Sequence, residues 1–314
     1  MDKPFKTHDE LISLLNSRGI SFDKPESKSD TKKRLQRIGY YNLINGYSRL
    51  FLNDVSNNIY KPGTTIEEIY NLYIFDQKLR ECLLHYILPI ETNIKSLIAY
   101  YFPMHHKEHN YLVYTNFDSS KRNANSQITE LISEIQRQIA SRSNDPSIKH
   151  YLTKYGYIPI WVLNNILTFG TISKMYSLMY QRERQEISKT FHIPDNELES
   201  SLFYLSAVRN FCAHGNRIYC YRSKNPYIDN DLHIKMNISK ENNSEYKYGK
   251  RDLFAVMLIL KKLLSQTEYR KFIKQIDISI KNLEKHLNVI SIDQVLDCMG
   301  FPANWKTLLL NNYK

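Results

Sequence analysis

The feature that most limits the fold is a helical periodicity that repeats along the chain, with strand-like alternation scarce. It is longest after Thr65, where Leu72, Phe75, Leu79, Leu83 and Tyr86 recur at the spacing of one helix face. Thr65-Ile66-Glu67-Glu68 reads as a capping-box-like start, in which a Thr hydroxyl and a Glu carboxylate three residues on satisfy each other's orphan amides. Pro89 lacks the amide that a helix interior needs, so it is expected to kink or split this helix before Ile90–Tyr101 continues. Further helices are expected over Asn125–Ser141, Trp161–Tyr180 with Gly170 inside it, Glu197–His214, Lys250–Ser265, Tyr269–Leu287, Asp293–Met299 and Asn304–Asn311. A loop is expected between Lys107 and Asn123. The class is all-α.

Before Thr64 the pattern is more broken. A short helix is expected near Asp9–Ser17, then a turn at Gly19, and then a basic linker Lys24–Arg34 leading into a second helix. Gly39, Gly46 and Pro62-Gly63 punctuate the chain from there to Thr64. The expected organisation is an N-terminal basic helical cap over residues 1–62, a helical core over 63–265 and a C-terminal helical extension over 266–314.

One stretch carries chemistry. Arg209-Asn210-Phe211-Cys212-Ala213-His214 is followed at once by Gly215-Asn216-Arg217, so a cation, an amide and an imidazole lie close together in the chain. Leu198, Leu202, Phe203, Leu205 and Val208 have roughly the spacing of one helical face, and Gly215 stands where a left-handed residue ends a helix. On that helix Asn210 and His214 share a face, and Arg209 lies about 140° round from His214. The long arginine stem lets its guanidinium reach an anion held over the Asn210/His214 face. A cation or His in a last turn also suits the helix dipole with no site implied.

The run R-N-x-C-A-H-x-x-R resembles the signature of HEPN domains, whose loose form is Arg-x(4 to 6)-His with a polar residue, often Asn, after the Arg. The rest is similar to the abortive-infection family called Abi-like, or AbiD/AbiF. The matching stretches are Lys32-Lys33-Arg34-Leu35, Ile38-Gly39-Tyr40-Tyr41-Asn42-Leu43-Ile44-Asn45-Gly46-Tyr47, Phe75-Asp76-Gln77-Lys78-Leu79-Arg80 and Pro89-Ile90-Glu91-Thr92-Asn93-Ile94-Lys95. The resemblance implies a HEPN-like helical bundle with the motif at a helix end. It further implies two copies paired across one cleft, hence a homodimer from one motif per chain, and a metal-independent RNA endonuclease with no cofactor. In its AbiF branch it also implies an association with structured noncoding RNA, in a role the sequence leaves open.

In that reading His214 is the general acid or base, because an imidazole titrates near pKa ~6.5 and such catalysis is worth roughly 10² to 10⁴ in rate. Arg209 holds the non-bridging phosphate oxygens bidentately, and Asn210 orients His214 or the phosphate. Products are a 2′,3′-cyclic phosphate and a 5′-hydroxyl. Cys212 reads as packing. The family's polar residue on an early helix makes Glu91 a candidate partner for Arg209. The pairs Asp76/Arg80 and Glu91/Lys95 otherwise read as ordinary i,i+4 helix support.

The net charge of +11 favours a polyanionic partner, although an AT-rich genome would also enrich the chain in Lys, Asn, Ile and Tyr. Arg217, Tyr219, Tyr221 and Arg222 interleave cations with rings as surfaces for unpaired bases do, with packing of the two tyrosines on the bundle the equal alternative. Lys32, Lys33 and Arg34 are a second candidate RNA contact or a solvated face. Cys82, Cys212, Cys220 and Cys298 show no metal spacing, and a reducing compartment is expected. His105, His106 and His109 near Asp118 make a poor metal set, because adjacent residues cannot point the same way on a helix. No signal-peptide pattern and no run of about 18 to 20 apolar residues is present, so a cytoplasmic protein with no membrane partner is expected. Two functional classes remain: an RNA-cleaving abortive-infection effector, and a module that holds a structured RNA without cutting it.

Overall fold

Local capping decides where the first helix begins. In a computed structural model that describes residues 4–22, 25–106 and 112–311, the Thr7 hydroxyl accepts the Glu10 amide while the Glu10 carboxylate accepts the Thr7 amide. The helix α1 (His8–Ser17) therefore starts with two orphan donors satisfied. The expected basic linker is instead a second helix, α2 (Pro25–Ile38), whose Thr31 and Leu35 are buried. Lys, Arg and Gln are good helix formers, the burial of Thr31 and Leu35 anchors the helix, and ion pairs from Lys32 to Asp9 and from Arg34 to Glu67, each at 2.7 Å, add modestly to it. Lys24, where that linker was expected to begin, lies outside the described residues.

Beyond Gly39, which takes a left-handed φ of 85°, the chain makes a π-helical turn over Tyr41–Asn45. A small antiparallel hairpin comes next, β1 (Leu52–Asp54) against β2 (Ile59–Tyr60), pairing Leu52 with Tyr60. Such short strands leave no alternation in the sequence to find.

The long helix α3 (Ile66–His105) runs for 40 residues. Thr65 caps it by accepting the Glu68 amide, but the expected reciprocal bond is absent. The Glu68 Oε1 atom accepts from the amides of Asn288 and Val289 instead, at 2.6 and 2.8 Å, tying the C-terminal region to the start of α3. Pro89 does not split the helix, one of the two outcomes expected of it: α3 continues through it without a break. Its ring is exposed, and packing along the whole length of α3 outweighs a cost of about 3 kcal/mol for an interior proline.

Next come α4 (Ala124–Ser141), α5 (Pro146–Tyr155), α6 (Ile160–Leu163) and α7 (Phe169–Leu178). The single helix expected over Trp161–Tyr180 is thus two, because Thr168 caps α7 by accepting the Thr171 amide and Gly170 falls in its first turn. The short 3-10 turn Tyr114–Asn116 interrupts the expected loop. The series ends with α8 (Gln181–Lys189), α9 (Asp195–Ala213), α10 (Asp231–Lys235), α11 (Leu253–Leu263), α12 (Gln266–Glu284), α13 (Ile292–Met299) and α14 (Trp305–Leu310).

This is an all-α bundle built on α3, against which α7, α8, α9 and α12 pack. Helix α11 is buried on nearly every side, as its apolar run requires. The buried apolar side chains, from Ile12 to Leu309, form one cluster. Among the described residues no helix is long and apolar enough to cross a membrane.

Candidate functional site

Helix α9 presents the motif by turning its apolar stripe inward. Leu198, Leu202, Leu205, Val208 and Cys212 are buried, which leaves Asn210, Ala213 and His214 exposed and Arg209 part-buried at the edge. Burial pushes the Cys212 thiol up to about 12, so it is not a thiolate nucleophile. The helix ends in a Schellman turn, with the Asn216 amide on Phe211 O at 3.1 Å and the Gly215 amide on Cys212 O at 3.1 Å. Gly215 has φ 69°, and a Cβ there would meet nothing within 4 Å, so the glycine serves backbone conformation alone.

The chain beyond the turn is clamped to α3 by a buried acid. Asp76 is fully buried, and its Oδ1 accepts the amides of Ile218 at 3.0 Å and Tyr219 at 2.6 Å. Its Oδ2 accepts the Tyr47 hydroxyl at 2.6 Å and the guanidinium of Arg80. Arg80 reaches on to Asn216 O at 3.3 Å, so a single α3 pair grips both sides of Arg217. Burial pushes the Asp76 carboxyl up, and the Tyr47 hydroxyl, Arg80 and the two amides oppose it.

Arg209 points its Nε at Glu91 Oε2, 3.2 Å away, and Glu91 Oε1 lies 2.9 Å from Lys95. The buried Glu91 carboxylate therefore fixes the guanidinium beside the exposed face. The side chains of Asn210 and His214 share that face, four residues apart, and have no hydrogen-bond partner among the described residues. An arginine held on a carboxylate, a free amide and a free imidazole are groups of the kind that bind a phosphate and transfer a proton.

The remaining expected contacts fare differently. Tyr219 and Tyr221 are buried: Tyr219 stacks on Tyr47 at 5.9 Å, and Tyr221 meets Phe211 edge-on at 5.2 Å. They pack on the bundle and offer no open face for a base. Arg217 is part-buried with Nη1 donating to Gly46 O, and Arg222 is exposed with Nη1 donating to Tyr221 O and Cys298 O. Lys32, Lys33 and Arg34 pair with Asp9, Asp30 and Glu67, away from the motif turn in their bonding, and Arg34 lies 4.0 Å over the ring of Tyr70.

His105 and His106 face the α8 carboxylates of Glu186 and Glu183, each at 2.6 Å, while His109 lies outside the described residues. Among the described residues no cluster of three metal-ligating side chains occurs.

Two features escaped the sequence. The Asp76/Arg80 pair is a clamp on the motif turn, beyond the helix support that its i,i+4 spacing indicates. A cleft of about 390 Å³ also opens between the Tyr41–Asn45 turn and the motif turn, with Gly215, Asn216 and Arg217 in one wall. The signal available for both was the pair of family-like segments Gly39–Tyr47 and Phe75–Arg80, which the fold brings to the residues after the motif.

A family model described as Abi-like protein matches residues 33–220 of the chain. The match takes in the π-helical turn, α3, the motif and Tyr219. No curated protein and no solved structure matches.

Proposed function

The chain belongs to the Abi-like protein family, and from that premise we propose that it is an AbiD/AbiF-type HEPN protein that binds RNA and cleaves it without a metal. Membership of the family itself suggests a part in abortive infection. The observation that carries the cleavage reading is the exposed imidazole of His214, unpartnered among the described residues, at a capped helix end beside Asn210 and an Arg209 held by Glu91.

The reaction follows from those groups. A 2′-hydroxyl loses its proton to a base and attacks the adjacent phosphorus. The bond from phosphorus to the 5′ oxygen breaks, and that oxygen takes a proton from an acid. The products are a 2′,3′-cyclic phosphate and a 5′-hydroxyl. His214 moves the proton, Arg209 meets the charge that grows on the non-bridging oxygens, and Asn210 orients either. Two chains in a homodimer bring two such turns to one cleft, so that one imidazole is base and the other acid.

A second reading is favoured by the Arg209–Glu91 ion pair itself, which holds the cation on a protein carboxylate. In that reading the chain is a module that holds a structured noncoding RNA without cutting it. Such an RNA is equally the regulator in the first reading.

Purified wild type and His214→Ala, compared for copurifying nucleic acid by absorbance and for RNA ends cut in cells by sequencing, separate these readings. Wild type is expected to leave cyclic-phosphate ends that the variant lacks. Equal cleavage by both proteins, or loss of cleavage with EDTA, overturns the mechanism. A wild type that never cuts but retains one RNA species supports the module.

A further inference from the structure

The cleft beside the motif has a chemistry of its own. Arg217 and Arg222 line it and no carboxylate does among the described residues. Both arginines are oriented by backbone carbonyls, Gly46 O for one and Tyr221 O and Cys298 O for the other. A carbonyl fixes a guanidinium without cancelling its charge, whereas Arg209, Arg34 and Lys32 each face a carboxylate. The cleft is therefore a place where two guanidinium groups are held without a direct carboxylate ion pair among the described residues.

The opposite wall suits a base. Tyr41 is 77% exposed, a large ring left in water on a π-helical turn, a conformation that departs from the α-helix and recurs at functional sites. Asn42 and Asn45 are exposed beside it, and Asn42 uses its amide nitrogen on Ile38 O, which leaves its side-chain oxygen to accept. Below them Tyr47 is held by Asp76 and stacked on Tyr219, so the floor is rigid. A cavity of about 390 Å³ falls in the range of small-ligand sites and is far too small for a duplex.

We propose that this cleft binds one unpaired nucleotide of an RNA strand. Its base lies against Tyr41 within reach of Asn42 and Asn45, and its phosphate lies toward Arg217 and Arg222. The inference rests on the RNA reading above and adds to it where the strand runs. Because Gly215 and Asn216 form a wall of the cleft, the nucleotide held there is a neighbour of the one whose phosphate meets His214. The protein then prefers a single strand or a loop to a perfect duplex.

The test uses the full chain carrying His214→Ala, so that bound RNA stays intact. Fluorescence anisotropy with a labelled single-stranded RNA and with a blunt RNA duplex is compared for that protein and for versions adding Tyr41→Ala, Tyr41→Phe or Arg222→Ala. Loss of one stacking ring weakens single-strand binding about tenfold, while Tyr41→Phe stays within about twofold and duplex binding is unchanged. Arg222→Ala lowers the slope of affinity against salt by about one phosphate contact. If the protein binds single-stranded RNA and Tyr41→Ala binds it equally well, the cleft assignment is wrong and the RNA reading stands. If Tyr41→Ala weakens duplex and single strand alike, Tyr41 acts on the fold and the assignment is again wrong. If the parent protein binds neither RNA, both readings fall.

Discussion

Asp76→Ala removes one acceptor from four buried or part-buried donors, which makes it the sharpest probe of how the motif turn is held. The variant strands the amides of Ile218 and Tyr219, the Tyr47 hydroxyl and the guanidinium of Arg80. A stranded buried donor costs about 1–3 kcal/mol, and breaking one side of a buried ion pair costs about 3–5 kcal/mol. The terms do not add in full, because Arg80 keeps Asn216 O and Tyr47 within reach and water can enter the space left. The expected loss is therefore about 4–6 kcal/mol, a large part of the roughly 5–15 kcal/mol that a folded protein commands. Asp76→Asn keeps one oxygen for the Tyr219 amide but offers Arg80 no charge, and about 3 kcal/mol is expected. Urea denaturation measures both, and hydrogen exchange of the peptide spanning 216–221 reports whether the turn itself is released. A loss below about 1 kcal/mol for Asp76→Ala, or an unchanged exchange rate for that peptide, refutes the clamp.

Two further outcomes bear on the C-terminal packing. Gly300 has φ 75°, and a Cβ there would lie 2.3 Å from the Cβ of Asp252, so Gly300→Ala is expected to cost about 2–4 kcal/mol. A thermal melt that matches wild type would show that the two segments are not packed this closely. Asp252 caps α11 through the Ala255 amide, yet burial pushes its carboxyl up to about 6 from the ordinary 3.8. A folded-state value above the unfolded one favours the protonated form, so this group's contribution is present below pH ~4 and is lost as the pH rises through about 6, by up to about 3 kcal/mol. Asp252→Asn is expected to lack that decline, and parallel urea midpoints for the two proteins between about pH 4.5 and 7 would contradict it.

The helices that could be read from the sequence are those whose buried face is apolar. Leu72, Phe75, Leu79 and Leu83 announce α3, and Leu198, Leu202 and Leu205 announce α9. Helix α8 could not be read, because it buries Glu183 and Arg184 among its few inward positions, and it is their partners His106 and Asp195 that make that burial tolerable. The break between α6 and α7 is easily missed for a different reason: Ile166 and Leu167 resume the apolar run after the polar pair Asn164-Asn165, and the Thr168 cap marks the new start.

The candidate site divides along the same line. The turn at Arg209–Gly215 is legible since its geometry is set within a few residues, by a helix period and a glycine. The amides that Asp76 accepts, those of Ile218 and Tyr219, lie more than 140 residues along the chain, and no local pattern encodes them. Composition misleads most at the tyrosines after the motif. Interleaved Arg and Tyr describe a base-binding surface and a packed bundle edge equally well, and burial assigns Tyr219 and Tyr221 to the second. A cation's worth to an anionic partner likewise depends on what else it touches. Lys32 and Arg34 must surrender a carboxylate to bind phosphate, while Arg217 and Arg222 rest on carbonyls and need surrender no charge. A count of basic residues treats the four alike; in the proposed reading this difference is why the phosphate lies at the cleft beside the motif turn.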